Sequence, residues 1–170
     1  MGRSLPALDA RLLKLMRTRG HGNPAVERKV AAFSRTGEHA ACWFALGAAG
    51  LAVSRSPQRR RAWQRGLQAT AFAYGLNYAV KLTVKRPRPQ LEGLPALSGV
   101  VSGLSFPSAH ATTSFAAAGT YARAIPAAAP LLYGGAAMFA ISRPYLGVHY
   151  PSDVAAGALI GSAVARAWPR

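Results

Sequence analysis

Apolar positions recur in two different ways along this chain. In the first 36 residues they form narrow stripes. Leu8, Leu12, Leu15 and Met16 repeat at helical spacing with Arg11, Lys14 and Arg17 on other faces, and Val26, Val30 and Phe33 form a second stripe. Gly20-His21-Gly22 separates the two, and Asn23-Pro24 reads as a cap followed by proline in a first helical turn. Such basic amphipathic helices suit the headgroup layer of a membrane, although the same stripes fit helices packed on a soluble core. From residue 39 the pattern turns to longer apolar runs, at roughly 39–54, 66–84, 108–125, 126–142 and 152–168. The Arg-rich stretch 55–65 and a Pro/Gly-rich loop at 85–106 interrupt them.

The pattern predicts an all-α fold, a polytopic membrane helical bundle of about five spans preceded by N-terminal amphipathic interfacial helices. A hydrocarbon core asks for about 20 helical residues, within a range of about 17–25. Several runs sit at or below that limit, so length alone also fits a soluble all-α protein. The runs are rich in Ala and Gly, and Gly157, Gly161 and Ala165 make a small-residue ridge below Asp153, which favours close helix approach in lipid. That composition explains a mean hydropathy of only +0.11 in a chain with 51% hydrophobic residues.

Charge narrows the partners. With 21 Lys+Arg against 5 Asp+Glu, the net charge is +16, which points to nucleic acid, an anionic membrane or an anionic substrate. The basic clusters are separated by apolar runs, and no zinc finger, RNA-binding aromatic motif or long basic helix is present, so nucleic acid is set aside in favour of membrane lipids. The lone Cys42 lies in an apolar run and reads as a small packed hydrophobe. The first 36 residues hold no continuous apolar core of a secretory signal.

Three polar blocks stand out at the ends of the runs: Lys81 with Arg88-Pro89, Pro107-Ser108-Ala109-His110, and Ser142-Arg143 with His149 and Asp153. Alternating span direction brings all of them to one face. Pro107 suits a first helical turn, which would leave the backbone N–H groups of Ser108, Ala109 and His110 as donors at a positive helix end, a ready anion site. Lys81 adds a point charge, and Arg88 and Arg143 add planar forks that grip phosphate oxygens. His149, with Asp153 four residues on, can present one ring nitrogen as a nucleophile while the carboxylate holds the other. His110, beside the phosphate cradle, fits the general acid. A two-metal site needs several carboxylates, and Asp153 with Glu92 makes a poor one, so no metal and no cofactor is expected. Lys85, Arg86, Glu38 and His39 read as surface or interfacial contacts. Asn77 either orients Lys81 or packs against a neighbour, and Tyr145 and Tyr150 read as mouth or interface residues.

These blocks resemble the type 2 phosphatidic acid phosphatase (PAP2) superfamily, whose signature runs K-x6-R-P, P-S-G-H and S-R-x5-H-x3-D. Every signature position from Lys81 to Asp153 agrees except Ala109, where the family has glycine. Alanine keeps the backbone N–H and adds a methyl group beside the phosphate. The resemblance implies a PAP2/haloperoxidase-like core in a membrane lipid phosphatase, with 1–36 as interfacial helices and 37–170 as the transmembrane catalytic domain. It implies a phosphohistidine on His149, Asp153 as its orienter, His110 as the acid, and Lys81, Arg88, Ser108, Ala109 and Arg143 on phosphate. The substrate would be a lipid phosphate, either a glycerolipid or a polyprenyl-linked one. The small size and Ala/Arg-rich composition look like an actinobacterial member, a subgroup of which acts on decaprenyl-phosphoryl-5-phosphoribose. A vanadate-dependent haloperoxidase and a non-catalytic lipid-headgroup binder are the alternatives. The expected location is a multi-pass protein of the cell membrane with an extracytoplasmic site. Basic residues outside the motifs divide evenly between the two faces, so the positive-inside rule leaves a cytoplasmic site open. A homo-oligomer is also left open.

Overall fold

The computed structural model describes residues 5–19 and 21–169, so Gly20 of the predicted break lies outside it. Among the described residues seven α-helices follow one another: α1 (Leu5–Arg19), α2 (Pro24–Thr36), α3 (Ala41–Val53), α4 (Pro57–Val84), α5 (Ala109–Tyr121), α6 (Ala129–Tyr145) and α7 (Pro151–Ala167). No strand is present among the described residues; one isolated bridge, Pro87 to Leu104, pins the long loop between α4 and α5.

Helix α5 is the axis of the bundle. Its Ala, Thr and Ser side chains are buried almost all round, with α4, α6 and α7 packed against it. Small residues allow this. A Cβ at Gly157 of α7 would stand 2.6 Å from the Ser108 carbonyl oxygen, so α7 meets the start of α5 backbone to side. Farther from that end, Trp43, Trp63, Tyr121 and Phe139 form the main aromatic core. Tyr121 donates its hydroxyl to the Trp43 carbonyl at 2.9 Å, and Trp43 Nε1 donates to Ser114 Oγ at 2.7 Å, so the polar atoms of both rings are satisfied. Cys42 packs half-buried against this core.

Element boundaries differ from the sequence pattern in informative places. The Arg-rich stretch that interrupts the apolar runs is helical and forms the start of α4, because Ser56 caps that helix and Pro57 occupies its first turn. Helix α6 runs on through Ser142 and Arg143 to Tyr145, so Arg143 sits in its last turn rather than after it. Helix α5 begins at Ala109 with Ser108 as N-cap, which puts Pro107 before the helix and not in its first turn.

The two N-terminal helices lie against the bundle. Of α1's stripe, Leu8, Leu12 and Leu15 are exposed, while Asp9, Leu13 and Arg17 are buried. The face turned inward thus carries two charged side chains beside Leu13, and fixed partners make that stable: Arg17 donates to the carbonyls of Pro95 at 2.6 Å and Tyr145 at 3.1 Å.

The five predicted spans fall on α3 to α7, yet among the described residues no helix is long and apolar enough to cross a membrane. Helices α6 and α7 have 17 residues each. At ~1.5 Å per residue they reach about 25 Å, against a hydrocarbon thickness of ~30 Å. Helix α4 is long, with 28 residues, but its first two turns are the Arg-rich stretch.

Candidate active site

Four helix ends meet at one pole of the bundle: the C-terminal end of α4, the N-terminal end of α5, the C-terminal end of α6, and the α6–α7 turn with the start of α7. Lys81, Arg88, Ala109, His110, Arg143 and His149 all line one cavity of about 80 Å³, whose wall also includes Asn77, Tyr74, Tyr78, Glu38, His39 and the 99–102 segment. Ser108 and Asp153 are fully buried behind this wall.

His149 is 2% exposed, and its environment fixes its tautomer. Arg88 Nη1 lies 3.2 Å from Nε2. A guanidinium can only donate, so Nε2 carries the lone pair and Nδ1 the proton. Nδ1 faces Asp153 Oδ2 at 3.5 Å, longer than an ordinary hydrogen bond. That oxygen already accepts from the Ser105 hydroxyl and from the Tyr150 N–H at 2.9 Å. Burial drives the His149 imidazole down to about 3, against the raising pull of Asp153, and Arg88 adds to the fall. The ring is therefore neutral across the physiological range, with a lone pair beside the cavity.

His110 donates from Nε2 to the Ser34 carbonyl oxygen at 2.9 Å. A carbonyl only accepts, so Nδ1 is the nitrogen left to take up and release a proton. Ser34, on α2, also receives Arg143 Nη1 on its hydroxyl at 2.6 Å. One residue of the N-terminal region thus sets both His110 and Arg143. Arg143 Nε is buried with no hydrogen-bond partner among the described residues. An unmatched charged donor is costly in a closed site, and an anion would satisfy it.

Lys81 is held differently from its expected role as a projecting charge. Its ammonium donates to the carbonyls of Leu104 at 3.1 Å, Ser105 at 3.3 Å and Pro107 at 3.1 Å, which occupies all three of its protons. Lys81 clamps the loop before α5 and acts on the cavity as a fixed positive charge. Asn77 shares this work, donating to the Pro107 carbonyl at 3.3 Å and to Thr112 Oγ1 at 2.9 Å. Of the three N–H groups expected at the start of α5, that of Ser108 donates to the Asp153 carbonyl at 3.0 Å, which ties α5 to α7. The Ser108 hydroxyl caps its own helix through the Ala111 N–H. The N–H groups of Ala109 and His110 fall in the first turn, where no intrahelical carbonyl is available to them.

Arg86 is not the surface contact that its place in the sequence indicates. Its Nη1 donates to Asp153 Oδ1 at 2.8 Å and its Nη2 to Asp9 Oδ2 at 2.7 Å. Sequence reading also passed over Ser34, Ser105 and Asp9. Among the described residues no group of three or more His, Cys, Asp and Glu side chains is arranged to hold a metal ion. Lys81, Arg88 and Arg143 leave the cavity strongly positive, since Asp153 shares its charge with Arg86.

The chain is similar to known proteins in sequence and in fold. The chain is 40% identical over 136 residues to the decaprenylphosphoryl-5-phosphoribose phosphatase of Mycolicibacterium smegmatis, covering 80% of this chain and 73% of that protein. It is 38% identical over 131 residues to the enzyme of the same name from Mycobacterium tuberculosis, covering 77% and 72%. In fold it is similar to a transmembrane PAP2-type phosphatidylglycerolphosphate phosphatase from Bacillus subtilis, with TM-score 0.74, 21% identity, and coverage of 97% of this chain and 84% of that one. It is likewise similar to Aquifex aeolicus LpxE, with TM-score 0.72, 24% identity, and coverage of 98% and 97%. The model of the PAP2 superfamily matches residues 66–170, a stretch that contains every signature position from Lys81 to Asp153, and the chain therefore belongs to this superfamily of phosphatases.

Proposed function

We propose that this chain is an integral-membrane lipid phosphate phosphatase that removes a phosphoryl group from a polyprenyl-linked sugar phosphate through a phosphohistidine on His149. The observation that carries the mechanism is the tautomer: a buried neutral imidazole presents its Nε2 lone pair to a cavity ringed by Lys81, Arg88 and Arg143. Arg88 moves its Nη1–H from Nε2 to a phosphate oxygen, the freed Nε2 attacks phosphorus, and the P–N bond forms as the P–O bond to the leaving group breaks. His110 enters this step as the imidazolium, with its Nε2–H held by the Ser34 carbonyl, and gives the departing oxygen the proton on Nδ1. Asp153 holds the Nδ1–H of His149 as positive charge develops on that ring. The arginines, the Lys81 charge and the start of α5 balance the negative charge on the transferring oxygens. Water then attacks phosphorus, His110 takes its proton, and the P–N bond breaks to release phosphate and free His149.

Substrate and setting rest on further support. Two relatives at 40% and 38% identity are named for a decaprenyl-linked phosphoribose. A cavity of about 80 Å³ is small beside the ~300–1,000 Å³ pockets that enclose whole ligands, so it admits the phosphoryl end and leaves the chain outside. Leu131, Met138 and Ile141 on α6 and Leu159 on α7 are each more than half exposed, a covering that suits lipid better than water. The short helices then span with snorkelled basic ends and a locally thinned bilayer. The exposed Leu8, Leu12 and Leu15 of α1 dip into the same interface. By the family's habit the site faces away from the cytoplasm.

Phosphate release measured in detergent across a panel of polyprenyl-phosphoryl sugar phosphates, phosphatidylglycerol phosphate, phosphatidic acid and soluble sugar phosphates tests the assignment. The polyprenyl-linked sugar phosphate should lead, with soluble sugar phosphates on the order of 100-fold lower in kcat/KM because remote binding is used at the reacting centre. Equal efficiency on soluble and lipid phosphates would show the lipid assignment to be wrong.

A further inference from the structure

Helix α1 lies outside the stretch matched by the family model, yet it reaches the back of the active site through one buried carboxylate. Asp9 is 6% exposed. Its Oδ1 accepts the Ser152 N–H at 3.0 Å, and its Oδ2 accepts the Ser152 hydroxyl and Arg86 Nη2, the latter at 2.7 Å. Arg86 turns its other nitrogen, Nη1, to Ser152 Oγ and Asp153 Oδ1, both at 2.8 Å, and its guanidinium lies 3.9 Å from the centre of the Tyr150 ring. Asp153 Oδ2 then faces Nδ1 of His149. A carboxylate, a guanidinium and a second carboxylate thus run in line from the N-terminal helix to the imidazole.

We infer that Asp9 and Arg86 are positioning residues for the Asp153–His149 pair, an inference that rests on the phosphohistidine reading. Arg86 stops the Asp153 carboxylate from rotating, because it fixes Oδ1 while Ser105 and Tyr150 fix Oδ2. Asp9 does two things to Arg86. It supplies the second anchor that aims the planar fork, and it shares the positive charge that would otherwise fall on Asp153 alone. If Asp153 were opposed by the whole of that charge, it would hold the developing imidazolium less well. A buried ion pair whose work is only to fasten α1 would make the same contacts, so the test must separate aiming from fastening.

The test measures kcat and KM for the preferred lipid phosphate in detergent, on the full chain, for wild type, Asp9→Asn, Arg86→Gln and the double variant. Melting temperature and the rate of phosphoenzyme formation are read alongside. Asp9→Asn should lower kcat and phosphoenzyme formation by about 10-fold with KM within about twofold, and should do nothing further in the Arg86→Gln background, since the two act through one bridge. Independent, multiplicative losses would overturn the inference, as would a fall in melting temperature with kcat unchanged, or a rise in KM alone. Should Asp9→Asn fail to fold, Arg86→Lys keeps the charge without bridging both carboxylates, and wild-type kcat in that variant would be equally fatal. Retained turnover in His149→Ala would instead remove the phosphohistidine reading, and so separates the two failures.

Discussion

Replacing Gly157 by alanine tests whether the α5–α7 contact sets the geometry of the site. The added Cβ would lie 2.6 Å from the Ser108 carbonyl oxygen, 3.0 Å from Ala111 Cβ and 3.1 Å from Thr112 Oγ1. Ordinary contact begins at 3.4 Å, so the first turn of α5 must move by about 0.8 Å relative to α7. That turn carries Ser108 and His110, while α7 carries Asp153, and the Ser108 N–H to Asp153 carbonyl bond joins them. Overpacking of this kind costs about 1–3 kcal/mol. At ~2–4 °C per kcal/mol for a chain of this size, the melting temperature should fall by about 2–12 °C. Displacement of catalytic groups by nearly 1 Å should lower kcat by on the order of 10- to 100-fold. Gly134→Ala is the control, because nothing lies within 4 Å of its Cβ and the helix gains a better former. Thermal melts and phosphate release in detergent read both quantities. Wild-type melting temperature and kcat in Gly157→Ala would refute the claim that this contact holds the site together.

Other outcomes follow from the same geometry. Ser34→Ala removes the hydroxyl that takes Arg143 Nη1 and should weaken inhibition by vanadate by about 10-fold, the loss of a charged hydrogen bond, while leaving His110 its carbonyl partner. His149 has a folded pKa near 3, below its unfolded value of about 6.5, so the unfolded chain binds more protons between these limits. Stability is therefore whole above about pH 6.5 and declines as pH falls towards 3, and melting temperature against pH should fall less steeply in His149→Gln. His110→Ala should impair substrates with poor leaving groups most, as paired rates on an alkyl phosphate and p-nitrophenyl phosphate would reveal. Activity should persist in excess EDTA, because fixed cations and a helix start supply the positive charge; loss in chelator that magnesium restores would contradict this.

Much of the site was legible because its parts are short-range. A histidine with a carboxylate four residues on, an arginine pair, and a proline-serine turn before an apolar run each carry their chemistry locally, and alternating helices bring them together. What escaped reading depends on long-range partners. Arg86 meets Asp9 across 77 positions and Asp153 across 67, and His110 meets Ser34 across 76. No periodicity connects such residues; only the folded path of α1 and α2 over the bundle does. The same path decides between the two readings of α1's stripe: the leucines face outward and do not pack on the bundle, because Asp9 and Arg17 have fixed polar partners inside. Helix ends were misplaced where caps competed. Ser108 takes the cap, which leaves Pro107 before the helix and out of the first turn it was expected to fill, and Ser56-Pro57 starts α4 two turns before its apolar part. The five spans were read from apolar runs, but α3, α5, α6 and α7 have only 13 to 17 residues and the first two turns of α4 are the Arg-rich stretch; α5, wrapped by neighbours, has no need of an apolar surface of its own.

The central claim is that phosphorus is transferred to Nε2 of His149. Rapid mixing with a phosphorus-labelled lipid phosphate, quenched in base and followed by peptide mapping, tests it most directly. The wild type should yield an acid-labile, base-stable phosphoryl group on the peptide bearing His149, formed at least as fast as turnover and absent from His149→Ala. A turnover-competent enzyme with no labelled peptide, or with label on another residue, would contradict the account.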